Sequence, residues 1–409
     1  MKKLIGTVAV AALIATAAFA EISMGAWLRV LAAPVAYDGD GIVSGMTNSW
    51  GWGARVARVD INGVSEDEKV GFSMGVFNDA YKGLSMGDNY VIWAKPWDFL
   101  KVSFGKWDYT TFRGDLCYGS WNWIRPNNWI FNDEGLTFDQ IGNQNGIQLE
   151  ITPIEGLLVM WNLPLHGAWK EDDKCSHEWV LDNGKFTPVK DMLRYSDAGV
   201  KYTIGSIGTI KAGWEGQNAS YDDDNDKNKY GDVNVAFDLT AVDKLYVTVG
   251  AKIGIANSDY KENKDFELLK VALGANYQIL DNLKVSASFG LRTFQTKYTA
   301  SDVTHKPDFQ FGVGVDVGLT DSLSLTADFR GVLYGDREEG NITADGKNQF
   351  SFLVGVQYNM SSNGYIGIGF QGTTNGCGFP GSFNAYKPED KETSNAFCFA
   401  VPIAISCWF

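Results

Sequence analysis

The sequence predicts an all-β chain folded as a transmembrane, antiparallel, up-and-down β-barrel of about eighteen strands. Three observations predict it: apolar and polar residues alternate with period two, the links between such segments are alternately short and long, and the last segment closes on Trp408-Phe409. Composition agrees. Mean hydropathy is −0.15, with 45% hydrophobic and 21% charged residues. That average excludes a bundle of apolar helices, and it is what results when one face of every strand meets lipid and the other meets water.

The N-terminus comes first. Lys2 and Lys3 precede an uncharged run from Leu4 to Ala17 and then Ala18-Phe19-Ala20, the layout of a Sec signal peptide with a small-residue cleavage site. The run is too short to span a bilayer as a retained helix. Residues 1–20 are therefore expected to be the signal peptide and 21–409 one barrel domain, exported from the cytoplasm. Loss of the two lysines takes the net charge from −14 to −16. Length alone suggests several soluble domains, but no linker divides the chain and the repeated hairpins reduce it to one.

Strands are expected near 22–31, 54–63, 69–77, 89–95, 99–107, 145–152, 157–163, 194–204, 207–216, 230–239, 244–255, 266–277, 282–293, 308–318, 322–334, 348–359, 364–371 and 396–409. Val233, Val235, Phe237 and Leu239 alternate with Asp232, Asn234, Ala236 and Asp238. Leu283, Val285, Ala287, Phe289 and Leu291 alternate in the same way, as do Phe309, Phe311, Val313, Val315 and Val317. Side chains on a strand point to opposite faces in turn, so each segment has one apolar face and one polar or glycine-rich face. Eighteen is even, as single-chain bacterial barrels require; a count of sixteen follows if the first pair or the 364–371 strand is misread.

Links after even-numbered strands are short, as in Pro153-Ile154-Glu155-Gly156 and Thr320-Asp321, and those after odd-numbered strands are long and polar. This sets all short turns at one end. Asp98-Phe99-Leu100, Asp243-Lys244-Leu245, Asp281-Asn282-Leu283 and Asp321-Ser322-Leu323 share an Asp followed two residues on by Leu. The carboxylate is expected to accept a backbone N–H within its turn, and the Leu to open the next apolar face. Secreted β-sandwiches also alternate, but nothing in a sandwich requires short and long links to alternate.

The chain ends Phe397-Cys398-Phe399-Ala400-Val401-Pro402-Ile403-Ala404-Ile405-Ser406-Cys407-Trp408-Phe409. A terminal aromatic on an alternating last strand resembles the C-terminal signature of Gram-negative outer-membrane proteins. The resemblance implies that the barrel-assembly machinery reads Phe409 as its signal, and it implies an outer-membrane location with lipid around the barrel. Pro402 departs from the pattern: it has no N–H for the ladder, so a bulge or a missing bond is expected there.

In layout the mature chain resembles porins. In the trimeric members the loop after strand five folds into the lumen, and here the longest link, 108–144, follows the fifth expected strand. It carries Trp121, Trp123 and Trp129 with Asp115, Asp133, Glu134 and Asp139. So aromatic a segment would expose a large apolar patch in water. The resemblance implies a constriction loop and a homotrimer; a cap over the barrel mouth or a subunit contact is the alternative for the loop.

If the apolar set faces lipid, the opposite set lines the lumen: Arg29, Arg58, Asp60, Lys101, Lys201, Lys211, Lys252, Lys270, Lys284, Arg292 and Arg330, with Asp197, Glu215, Asp232, Asp238, Asp316 and Asp328. Both signs are interleaved, which suits a water-filled passage for small polar solutes and ions better than a filter for one sign. Arg29 and Arg58 are expected to face the acids of the 108–144 loop across the pore, or else to be ordinary solvated lumen charges. Tyr202, Trp214, Tyr277, Phe309 and Tyr358 fit aromatic girdles at the two membrane interfaces. A sugar-selective channel similar to the maltoporins, guided by lumen aromatics, and a barrel serving as a surface adhesin are the alternatives.

Other functions find little support. A pI near 4.7 gives no concentrated basic face for nucleic acid. His166, His177 and His305 all fall in expected loops, and no nucleophile elbow or HExxH spacing occurs, so no catalytic residue is assigned. Asp222-Asp223-Asp224-Asn225-Asp226 lacks the Gly and Glu of a calcium loop. Cys175 and His177, with His166 nearby, make no recognisable metal site, and no cofactor is expected. Five cysteines cannot all pair within one chain; Cys117 with Cys175 and Cys377 with Cys398 are candidate bridges, and Cys407 reads as a small apolar residue on the lipid face.

Overall fold

The computed structural model describes residues 20–37, 41–47, 55–79, 83–106, 112, 121, 123–124, 145–164, 196–216, 229–256, 267–294, 307–333, 335, 348–374 and 397–409. The expected signal peptide lies outside them except for Ala20. Nineteen β-segments follow in chain order: β1 (Ala20–Tyr37), β2 (Ile42–Thr47), β3 (Arg55–Ser65), β4 (Val70–Asp79), β5 (Gly83–Trp97), β6 (Leu100–Lys106), β7 (Asn145–Ile151), β8 (Leu157–Pro164), β9 (Asp197–Ile204) and β10 (Gly208–Gly216). Then come β11 (Lys229–Leu239), β12 (Leu245–Ala256), β13 (Glu267–Leu280), β14 (Leu283–Phe294), β15 (Asp308–Gly318), β16 (Leu323–Leu333), β17 (Gln349–Ser361), β18 (Gly364–Thr373) and β19 (Cys398–Trp408).

The segments fill eighteen barrel positions. β3 pairs with the first half of β1, from Ala20 to Leu28, and β2 with its second half, from Leu31 to Tyr37. The two therefore run end to end along one neighbour and count as one strand. Every other segment pairs antiparallel with the next, and β1 pairs with β19 to close the sheet. Closure satisfies the backbone without a sheet edge, the condition for spanning lipid with strands. Phe409 seals the seam, since its N–H donates to the Ala26 carbonyl and its carbonyl accepts from the Ala26 N–H, both at 2.8 Å.

Parity sets the two faces. On β17, Gln349, Ser351 and Leu353 are buried toward the inside, while Phe352, Val354 and Tyr358 are exposed on the outside. The expected girdle residues lie on that outer face. Tyr202, Tyr277 and Tyr358 stand near the short-turn end and Trp214 and Phe309 near the other. Phe311, Phe329 and Phe350 form a chain of ring contacts across three strands there, with centroids 6.0 and 6.1 Å apart. Cys407 is also on the outer face. Cys398 is buried on the inner face, and Cys117, Cys175 and Cys377 lie outside the described residues.

Around Pro402 the ladders break on both sides. Against β18 the register is kept but two pairs are missing, between Ile368–Ile403 and Gln371–Ala400, as a strand residue without an N–H produces. The shift against β1, from Ala32–Ile403 to Val35–Val401, has its extra residue on β1, and β2 meets the same shift between Ala33 and Ala36, around Pro34.

Two expectations need correction. The links after the first and third expected strands are short, at 38–41 and 80–82, because the strands on both sides run on past the expected limits. Two of the four turn aspartates, Asp98 and Asp281, also do something else. Asp98 accepts a hydrogen bond from Lys69 Nζ and Asp281 accepts one from Lys244 Nζ at 2.9 Å, so each ties its turn to the preceding short turn. A charged partner in reach outcompetes the neutral N–H. The leucines behave as expected: Leu100, Leu245, Leu283 and Leu323 each open a strand.

Candidate functional site

The inner wall concentrates the chain's polar chemistry. Each charged residue expected on the inner face takes that face, and most are engaged by a carboxylate within one strand of them. Lys101 meets Glu150 at 2.9 Å, Lys284 meets Asp316 at 3.3 Å and Arg292 meets Asp308 at 2.7 Å. All three pairs are direct register partners on neighbouring strands, where side chains of one face stand closest. Lys211 pairs with Asp238 on the diagonal, and Thr248 donates to the same carboxylate at 2.7 Å. Lys252 lies 2.7 Å from Glu215 and 3.8 Å from Asp232. Arg58 with Asp60, at 2.7 Å, and Arg330 with Asp328, at 3.1 Å, pair two residues apart on a single strand.

Cations also gather along the wall. Lys252, Lys270 and Arg292 are successive partners across β12, β13 and β14. Like charges directly opposite repel, and acids flank the row at both ends: Glu215 and Asp232 beside Lys252, and Asp308 beside Arg292. Lys201 and Lys211 face each other in the same way across β9 and β10. Arg29 stacks over Trp27, with its guanidinium carbon 4.2 Å from the ring centroid.

Sequence reading missed several members. Glu150 and Asp308 belong to the wall; Asp308 accepts from the Gly335 N–H at 3.0 Å, as the expected wall residue Asp197 does from the Gly216 N–H at 2.8 Å. The wall also carries buried amides, among them Gln148, Asn162, Gln310 and Gln371. Gln148 donates to Asn162 Oδ1 at 2.8 Å. Parity alone locates all of these; attention to charge passed over the amides.

The link between β6 and β7 enters this wall. Phe112, Trp123 and Ile124 are at most 1% exposed. Trp123 Nε1 donates to Gln357 Oε1 at 3.0 Å, and Gln371 Nε2 donates to the Ile124 carbonyl at 3.2 Å. Both glutamines are on the inner face of β17 and β18. The Ile124 N–H donates to the Trp121 carbonyl at 3.0 Å, and the Trp121 and Trp123 rings stack 5.9 Å apart. With Leu31, Ala33, Leu353, Ala400 and Ala404, Trp123 and Ile124 form an apolar cluster inside the barrel. The segment's Asp115, Trp129, Asp133, Glu134 and Asp139 lie outside the described residues, so the pairing expected between them and Arg29 and Arg58 falls there too. Among the described residues no cluster of metal-ligating side chains occurs.

Comparison with known proteins agrees with this architecture. Residues 195–359 match the outer membrane protein beta-barrel domain family. The fold is similar to the outer membrane channel DcaP of Acinetobacter baumannii, at 10% identity, with 96% of this chain and 98% of that one covered and a TM-score of 0.55. It is also similar to an anion-selective porin from Comamonas acidovorans, at 10% identity, 95% and 100% coverage and a TM-score of 0.52. No curated protein matches in sequence. The closed antiparallel sheet with its apolar outer face is a β-barrel fold shared with these channels, and 195–359 is the part that matches the domain family.

Proposed function

We propose that the protein is a porin: a water-filled channel through which small hydrophilic solutes and ions diffuse across the outer membrane. The observation that carries this reading is the inner wall, where charges of both signs and amides ring a closed barrel whose outer face is apolar. A passage so lined offers polar solutes replacement contacts without committing to one ion sign. Arg29, Arg58, Asp60, Lys101, Lys201, Lys211, Lys252, Lys270, Lys284, Arg292 and Arg330 form its inner wall in this reading, Lys211 and Arg330 buried within it, and the 108–144 link is its constriction. The fold shared with DcaP and the Comamonas porin is consistent with it.

A sugar-selective channel is the second reading, favoured by partly exposed Trp121, which stacks on buried Trp123, and by inward-facing Trp408, which is 38% exposed. Aromatic planes of this kind take up sugar rings. A homotrimer, with Phe409 as the assembly signal, is part of the first reading, and the outer ring chain on β15–β17 gives such an assembly an apolar face. Liposome swelling with sugars of graded size tests the first two readings. Rates that fall smoothly with solute size support general diffusion, and saturable uptake of one sugar class supports the second. No swelling from protein that shows heat-modifiable gel migration would overturn both.

A further inference from the structure

We propose that the constriction is a two-point clamp, set by glycine sockets on opposite walls of the barrel, and that these glycines determine the channel's aperture. The inference rests on the channel reading and deepens it.

The sockets are defined by what a side chain would strike. A methyl group on Gly367 would overlap the Trp123 indole, and one on Gly369 would overlap Ile124 Cδ1. On Gly355 it would lie 2.9 Å from the same Ile124 carbon. On Gly199 it would overlap the Phe112 ring. None of these four glycines has the left-handed backbone that only glycine tolerates well. Space for a loop side chain is the feature they share. Burying an aromatic ring stabilises through the apolar area it removes from water, and the two glutamine hydrogen bonds fix the Trp123 end in register.

The sockets stand far apart. Gly199 lies on β9, the eighth barrel position, and Gly367 on β18, the seventeenth. They are nine positions apart in a ring of eighteen, yet Phe112 and Trp123 are only eleven residues apart. A segment held at one point can swing on its other end. With Phe112 seated on one wall and Trp123 on the opposite wall, neither anchor leaves alone without the other still holding.

The test is single-channel conductance of refolded protein, with heat-modifiable gel migration as the folding control. Trp123→Ala should raise conductance at least about 1.5-fold by emptying a socket and freeing one end. Phe112→Ala should do the same at the other end, and the double variant should exceed either alone. Gly367→Leu alone should change conductance by expelling the indole. Combined with Trp123→Ala it should return conductance toward the wild-type value, because the leucine refills the space the indole left. A merely structural glycine would show no such rescue. The clamp is overturned if folded Trp123→Ala and Phe112→Ala conduct as wild type does, or if the combined variant is no nearer to wild type than Trp123→Ala. If folded wild type carries no current, the channel reading itself fails and the clamp's role falls with it.

Discussion

The lumen and the short-turn end use the same chemistry, a cation against a carboxylate, in opposite surroundings. Arg330 and Asp328 have no exposed side-chain surface, whereas Lys69 and Asp98 are 44% and 94% exposed at their side chains. In this wall pair each partner has given up water and depends on the other. At the turns both partners keep their water, so the pair adds little. Equal geometry therefore does not mean equal weight: wall pairs fix the shape of the passage, while turn pairs decorate its rim.

That contrast can be broken or sharpened by substitution. The largest effect is expected from Arg330→Ala, which strands a buried carboxylate and should cost about 3–5 kcal/mol, read from the urea midpoint of the folded barrel. Replacing both partners, as Arg330→Met with Asp328→Leu, should recover most of that loss, since no unpaired charge remains. Lys270→Gln comes next, through selectivity rather than stability. Removing the central cation of the Lys252–Lys270–Arg292 row should move the reversal potential in a salt gradient toward cation preference. Pro402→Ala restores a backbone donor at the seam and should stabilise by less than about 1 kcal/mol, because the bulge around Pro34 on the facing strand remains.

The smallest effect belongs to the turns: Lys244→Gln should leave the urea midpoint unchanged at neutral pH. Their pH dependence has a definite direction. The Lys69 and Lys244 ammonium groups hold Asp98 and Asp281 below the usual carboxylate range, and those carboxylates in turn raise the two lysines. The aspartate contribution is present above the ordinary carboxylate pKa and is lost as pH falls through the lowered one. The lysine contribution is present below about 10.5 and is lost as pH rises through the raised value. Stability should therefore be level in this respect from about pH 5 to 9, with a slight acid loss of which Asp281→Asn removes one turn's share and leaves that of Asp98.

Much of this fold was legible because a barrel strand writes itself twice, once in its alternation and once in the turn before it. All eighteen barrel positions were found that way. Alternation failed where the strand no longer separates lipid from water. Ala32-Ala33-Pro34-Val35-Ala36 is apolar on both sides, so no alternation marks the upper half of β1 and its partner β2 as strand. The lumen charges were legible from parity, but their partners were not. Arg292 meets Asp308 only through the register of β14 on β15, and no local pattern states a register. The aromatic loop announced that it must be buried, yet nothing in Gly199 or Gly367 distinguishes a socket from the many other glycines of the inner face. Lys244 reaches Asp281 for the same reason: neighbouring turns lie side by side only after the sheet closes.

The most direct test of the central claim is current through a planar bilayer after addition of refolded, heat-modifiable protein. The account predicts discrete, ohmic steps of uniform size that persist in salts of small and medium ions. A folded barrel that inserts and carries no current would contradict it.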